Sequence, residues 1–66
     1  MYVSKSTVKR ILESAGAERV GDDAVRRLQT YINRIGFSTA HRAVKLAKHA
    51  KRKTVTASDV KLAEQG

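Results

Sequence analysis

Residues 22–50, DDAVRRLQTYINRIGFSTAHRAVKLAKHA, decide the fold. Their apolar side chains recur at intervals of three and four, with Thr39 filling the one gap: Val25, Leu28, Ile32, Ile35, Ala43, Leu46 and Ala50. This period predicts one amphipathic helix without proline, about 42 Å long at about 1.5 Å per residue. Such a helix has more apolar surface than a short chain can cover, so we expect a partner chain to cover the rest.

The length of the chain supports the same expectation. Sixty-six residues suffice for one domain, and we expect a single domain over residues 1–66 without tails. A core of this size is marginal unless a disulfide, a metal or a second subunit stabilises it. The sequence contains no cysteine, which excludes disulfides and thiolate metal sites. Oligomerisation is the remaining route to stability.

The charge balance indicates the class of partner. Fourteen Lys and Arg against six Asp and Glu give a net charge of +8, which favours a polyanion such as nucleic acid. No apolar run approaches the roughly 18 residues of a membrane span, and no signal peptide is evident. We therefore expect a soluble intracellular protein that does not bind membranes.

Two short helices are predicted to flank the long one. Hydroxyl side chains at 4–7 can cap a first helix that begins near Ser4 or Ser6 and stops at Gly16. Thr56 and Asp59 have capping-box spacing and start a third helix of about two turns. The fold class is therefore all-α. No acid occurs between Asp23 and Asp59, and the solvent face of the long helix is predicted to carry a run of cations: Arg26, Arg27, Arg34, Arg42, Lys45 and Lys48.

An active site is not evident in the sequence. His41 and His49 are the only histidines, and neither has the nearby acids that would complete a metal site. There is no glycine-rich phosphate loop and no nucleophile elbow. We expect neither an enzyme nor a metal or other cofactor.

Two copies of a short–long–short helical chain can cross at the middle of their long helices. Each short helix then covers half of the crossed pair. Antiparallel crossing places the first loop of one chain beside the second loop of the other, so Arg19 would lie near Lys53 and Thr54 of the partner. The second loop has three consecutive cations at 51–53, and this pairing would place Arg19 of the first loop beside them.

The chain resembles an archaeal-type histone over essentially all of its length. The segments that carry the resemblance are AGAERV at 15–20, DDA at 22–24, AVKLAKHA at 43–50, and RKTV at 52–55 with Asp59. Residues 49–57, with Asp59 and Val60, are also similar to a eukaryotic core histone. The resemblance implies a histone fold, a handshake dimer, and wrapping of double-stranded DNA with little regard to sequence.

The resemblance also implies roles for individual residues in binding DNA. The arginine that matches Arg19 enters the minor groove, and the residues that match Lys53 and Thr54 hold the adjacent phosphates. Arginine suits a narrow, electronegative minor groove, and helix N-termini offer backbone N–H groups to phosphate. The predicted DNA contacts are Lys9, Arg10, Arg19, Lys53, Thr54 and Thr56.

Further assembly is implied by the same resemblance. Dimers of this type join end to end through positions that match Leu46, His49, Asp59 and Leu62, while Arg52 pairs with Asp59 within the chain. Stacking between superhelical turns would involve Gly16, Glu18, Arg34 and Lys61. We expect a homodimer that forms tetramers or longer polymers on DNA, heterodimers with related histones, and a cytoplasmic, nucleoid-associated location. The alternative is a histone-fold subunit of a transcription-related heterodimer.

Overall fold

The computed structural model describes residues 2–65 and contains three helices. These are α1 (Lys5–Ser14), α2 (Asp22–His49) and α3 (Ala57–Glu64), and residues 2–65 include no strand. The predicted all-α, short–long–short order is confirmed. The chain divides into two compact units, with the boundary within α2 after Arg34.

The first unit contains α1 and the beginning of α2. Val8 of α1 is fully buried, and Val25 of α2 is nearly so. Two buried polar side chains of α2 hold the extended segment before α1: the Asn33 Oδ1 accepts from the Tyr2 and Val3 backbone N–H groups at 3.2 and 2.9 Å, and the Gln29 Nε2 donates to the Val3 carbonyl at 2.7 Å. These amides pair with backbone groups of a segment that has no regular secondary structure of its own.

The second unit contains the rest of α2, the second loop and α3. Its buried apolar side chains are small: Ala43, Ala47 and Ala63. Arg42 was predicted on the solvent face of α2, and that prediction is wrong. Its Nε and Nη2 donate to the Ala63 carbonyl at 3.1 and 2.8 Å, and its Nη1 donates to the Ser38 Oγ at 2.9 Å. A cation is favourable there because the last carbonyls of α3 carry partial negative charge.

Side-chain caps fix where α1 and α3 begin. The Ser4 Oγ accepts from the Thr7 N–H at 3.2 Å and makes Ser4 the N-cap of α1. Thr56 is the N-cap of α3, and Asp59 completes a reciprocal capping box with it. Both starts were predicted from the sequence. In α2, Asp22 and Asp23 occupy the first turn, where acids complement the helix dipole.

The ends of α1 and α2 share one geometry. After α1, the Gly16 N–H bonds to the Glu13 carbonyl and the Ala17 N–H to the Leu12 carbonyl, both at 3.0 Å. After α2, the Lys51 N–H bonds to the Lys48 carbonyl and the Arg52 N–H to the Ala47 carbonyl, both at 2.9 Å.

Both patterns are Schellman motifs, which require one residue of positive φ. Gly16 has a φ of +111° and accepts this readily. Lys51 has a φ of 61°, which is unfavourable for a side chain with a Cβ.

Much apolar surface stays uncovered in the single chain. Ile35 of the predicted stripe is 46% exposed, Leu62 of α3 is 56% exposed and Ile11 of α1 is 45% exposed. The largest fully buried side chain among the described residues is only a valine, Val8. A core this small needs more burial than one chain provides.

Candidate nucleic-acid interface

The first loop, between α1 and α2, presents Arg19. Its side chain is exposed, and it forms no ion pair within residues 2–65. Gly16 and Glu18, two predicted stacking residues, are exposed in the same loop. The turn after α1 keeps Arg19 outside the helix, so its guanidinium is available to an external anion.

Helix α1 and its N-cap add a second group of polar side chains. Lys9 and Arg10 are exposed and have no ion pair in the described part of the chain. The Ser4 Oγ is committed to the helix cap and donates to the Thr7 Oγ1 at 2.9 Å. The cations, rather than the Ser4 hydroxyl, are therefore the groups that α1 offers to a phosphate.

The second loop, between α2 and α3, carries Lys53, Thr54 and Thr56, all exposed. Thr56 is already bonded to Asp59: its N–H donates to the Oδ2 at 2.9 Å, and its Oγ1 donates to the same oxygen at 3.1 Å. A hydroxyl has a single proton to donate, so Thr56 has no donor left for a phosphate oxygen. The Thr54 hydroxyl has no such commitment among residues 2–65.

Arg52 holds the second loop against α3. Its Nη1 and Nη2 donate to the Oδ2 and Oδ1 of Asp59 at 2.8 and 2.7 Å, and its Nη1 also donates to the Thr54 carbonyl at 3.1 Å. The Arg52 guanidinium, helped by the Thr56 backbone N–H, holds the pKa of the Asp59 carboxyl well below its usual range. The same contact raises the pKa of Arg52. The predicted intrachain partners are thus in direct contact.

The predicted end-to-end residues differ in exposure. Leu62 is 56% exposed and Leu46 is half-buried, while His49 is exposed in the last turn of α2. Asp59 is 6% exposed. Its Oδ2 accepts three hydrogen bonds and its Oδ1 accepts one, so Oδ1 retains capacity for a further donor. Of the remaining stacking residues, Lys61 and Arg34 are exposed.

The described residues contain no cluster of three His, Cys, Asp or Glu side chains that could hold a metal ion. Within residues 2–65, no helix combines the length and apolarity needed to cross a bilayer.

Comparison with known proteins decides the family. A family model described as histone-like transcription factor (CBF/NF-Y) and archaeal histone matches residues 1–63. The chain belongs to this histone-fold family. The resemblance inferred from the sequence is confirmed, and the three helices are those of a histone fold.

Individual relatives agree with this assignment. The histone-fold chain is 43% identical over 56 residues to one of the subunits of archaeal histone HAN1 from Thermococcus zilligii, covering 85% of this chain and 84% of the relative. It is 47% identical over 57 residues to probable archaeal histone 3 of Methanocaldococcus jannaschii, covering 86% of this chain and 85% of the relative. It is also 36% identical over 58 residues to histone H4 of Encephalitozoon cuniculi, covering 88% of this chain and 56% of that protein.

Sequence reasoning missed three side chains that build the interface indirectly. Gln29 and Asn33 hold the segment that leads into α1, and Arg42 holds the end of α3. Gln29 and Asn33 lie four residues apart on one face of α2, but their partner is distant in sequence.

Proposed function

We propose that two copies of this histone-fold chain form a dimer that wraps double-stranded DNA and compacts it without reading its sequence. The observation that carries the proposal is that Arg19 and Lys53, one in each loop, are exposed cations without an ion pair among the described residues. Two relatives named as archaeal histones support it.

Dimerisation follows from the uncovered apolar side chains. Ile35 and Val44 on α2 are 46% and 37% exposed, and Ile11 on α1 and Leu62 on α3 are exposed as well. Crossing of two α2 helices near their midpoints would bury the α2 side chains, with α1 and α3 of the partner covering the flanks. Burial of apolar surface stabilises such a pair by about 25 cal/mol per Å².

The crossed arrangement joins the DNA-binding groups in pairs. Arg19 of one chain would lie beside Lys53 and Thr54 of the other, so that the arginine enters a minor groove while the lysine and the free hydroxyl hold adjacent phosphates. Lys9 and Arg10 would bind phosphates at the centre of the dimer. No helix is presented to read bases, so sequence preference would come from the deformability of the DNA.

End-to-end association of dimers would use the last turn of α2 together with α3. Leu46 and Leu62 supply apolar contact, and His49 can donate to the unfilled Oδ1 of Asp59 in a neighbouring dimer. Growth of this kind would give tetramers or longer polymers. Each added dimer would lengthen the protected DNA fragment by the same amount. Related histones could replace one chain of the dimer. The protein would then reside on the chromosome in the cytoplasm.

Gel-shift and nuclease-protection assays on several unrelated DNA sequences test the proposal. We expect binding to every duplex, protected fragments that increase in regular steps, and an affinity that falls steeply with salt because neutralised phosphates release counterions. Absence of protection at low salt, or binding confined to one short sequence, would refute it.

A second candidate function is a histone-fold subunit of a transcription-related heterodimer, since the family model covers such factors as well. The exposed Arg19 and Lys53 favour packaging, because an assembly subunit does not require both. If the purified chain were unfolded and folded only on addition of a different histone-fold chain, the second candidate would replace the first.

A further inference from the structure

A cationic patch outside the proposed wrapping surface lies on α2 within the first unit. Arg27, Thr30, Tyr31 and Arg34 line a shallow concavity there. The Arg34 guanidinium lies over the Tyr31 ring, 5.8 Å from its centroid. The Thr30 hydroxyl donates to the Arg26 carbonyl at 3.0 Å and so turns back onto its own helix. The two arginines are the groups that this patch, called the α2 patch, offers to a partner.

The two arginines of the α2 patch lie outside the apolar stripe. At about 100° per residue, each lies about 200° around the helix from one stripe residue, Val25 or Ile32, and about 100° from the next, Leu28 or Ile35. A partner chain centred on the stripe would therefore leave the two guanidinium groups exposed at the edge of the contact.

The α2 patch carries two cations that are not held in ion pairs among the described residues, although Asp23 lies one turn before Arg27. Neither Arg27 nor Arg34 forms an ion pair in residues 2–65, whereas the neighbouring Arg26 pairs with Asp22 at 3.5 Å. From Ala24 to the end of α2 at His49 the sequence contains no acid. A second α2 patch would repel this one, so contact between copies through this face is disfavoured unless an anion lies between them.

The chemistry of the patch favours a nucleic-acid duplex over an acidic polypeptide. Arg27 and Arg34 lie about 10 Å apart along the helix axis at about 1.5 Å per residue. Duplex DNA carries one charge per about 1.7 Å of its axis, so it can meet both guanidinium groups in many registers. A protein partner needs a buried apolar anchor. Tyr31, the aromatic ring of the patch, is 53% exposed but carries the Arg34 guanidinium over one face, so burying the ring would also desolvate a cation.

We propose that the α2 patch binds the phosphates of a second DNA duplex, so that one dimer wraps one duplex and bridges it to another. This inference rests on the proposed DNA-wrapping function and adds a second surface to it.

A bridging assay tests this directly. The full chain is mixed with a bead-bound duplex and a free fluorescent duplex of unrelated sequence, and the fluorescence recovered with the beads is measured beside nuclease protection of a single duplex. The Arg27→Ala/Arg34→Ala variant should protect DNA as the parent chain does while its recovery falls about tenfold, because each dimer loses four phosphate-binding cations. Helicity by circular dichroism verifies that the variant is folded.

Matched variants make the assay specific. Arg27→Ala and Arg26→Ala remove the same charge from neighbouring positions, and only Arg27→Ala should lower recovery. Arg27→Lys/Arg34→Lys keeps both charges and should retain most of the recovery. Arg27→Gln/Arg34→Gln replaces the alanine variant if that fails to fold, and its recovery should fall in the same way.

Three outcomes would overturn the inference. Unchanged recovery with Arg27→Ala/Arg34→Ala would show that another surface bridges. A parallel loss of protection and recovery would place the arginines on the wrapping surface. If the parent chain protected DNA without bridging it, and bound poly-glutamate only when both arginines were present, the patch would belong to an acidic polypeptide. Absence of protection by the parent chain would instead refute the proposed function.

Discussion

The Arg52 guanidinium and the Asp59 carboxylate form a two-point contact, with Nη1–Oδ2 and Nη2–Oδ1 distances of 2.8 and 2.7 Å. Two parallel bonds of this kind fix the orientation of the two side chains in addition to stabilising them by charge attraction. Asp59 also caps α3 through Thr56, and Arg52 bonds to the Thr54 carbonyl. One carboxylate therefore fixes both the start of α3 and the loop that carries Lys53.

Asp59→Asn should destabilise the protein in a pH-dependent way. The Arg52 guanidinium lowers the pKa of Asp59 in the folded state, whereas an aspartate in an unfolded chain has a pKa of about 3.9. The unfolded chain therefore binds more protons in acid, and the contribution of Asp59 is fully present above about pH 4 and is lost as the pH falls toward its folded-state pKa. Urea unfolding at fixed protein concentration measures the free energy of unfolding. At pH 7 this free energy should be much smaller for Asp59→Asn than for the parent chain, and the difference should shrink below about pH 4.

Asp22→Asn is the matched control for this titration. Asp22 and Arg26 are 70% and 61% exposed in their ion pair, and exposed pairs contribute little. If Asp59→Asn lowered the free energy of unfolding by the same amount at pH 7 and at pH 2, the Arg52–Asp59 ion pair would not account for the loss.

Lys51→Gly should stabilise the dimer. Lys51 ends α2 at a φ of 61°, a conformation that costs a residue with a Cβ about 1 kcal/mol and costs glycine little. We expect a gain of about 1 kcal/mol, or about 4–8 °C in Tm for a domain of this size. Lys51→Ala removes the same charge but keeps the Cβ, so thermal melting of Lys51→Ala should show no comparable gain; equal gains in both variants would assign the effect to charge.

Arg19→Ala should weaken DNA binding and leave the dimer folded. Loss of one cation per chain removes two contacts per dimer, so the slope of log affinity against log salt should fall in magnitude by about 1.8. Gel shifts at several salt concentrations measure the slope, and circular dichroism measures the helicity. Arg26→Ala loses equal charge from α2 and should change the slope less. Loss of helicity in Arg19→Ala would indicate a structural role instead.

His49→Ala should shorten the fragments that dimers protect on DNA. The exposed His49 is proposed to donate to Asp59 of a neighbouring dimer, and its removal leaves the Arg52–Asp59 contact intact. Asp59 is unsuitable for this test because its replacement also disrupts the α3 cap. Nuclease digestion should give shorter fragments at unchanged dimer affinity, whereas Lys48→Ala should preserve their lengths. Unchanged lengths for His49→Ala would exclude it from the end-to-end contact.

The sequence predicted the features that depend on local chemistry. The capping residues Ser4 and Thr56 and the stop at Gly16 act within a few positions of themselves, so their patterns specify the helix ends. The period of the apolar residues predicted α2 because it reflects one face of a regular helix.

Side chains whose partners are distant in sequence were not predictable in the same way. Arg42 appeared as one more surface cation, yet its partner is the Ala63 carbonyl, 21 residues away. Asn33 bonds to Val3, 30 residues away, and no local pattern indicates that contact. Their roles depend on which elements pack together, which the helix period alone does not specify.

Sedimentation equilibrium of the purified chain without DNA, combined with circular dichroism, tests whether two chains fold by pairing. The exposed Ile35 and Leu62 imply that folding and pairing occur together, so the account predicts helical protein with the mass of two chains, whose helicity falls on dilution as it dissociates. A stably folded, fully helical monomer at every concentration would contradict it.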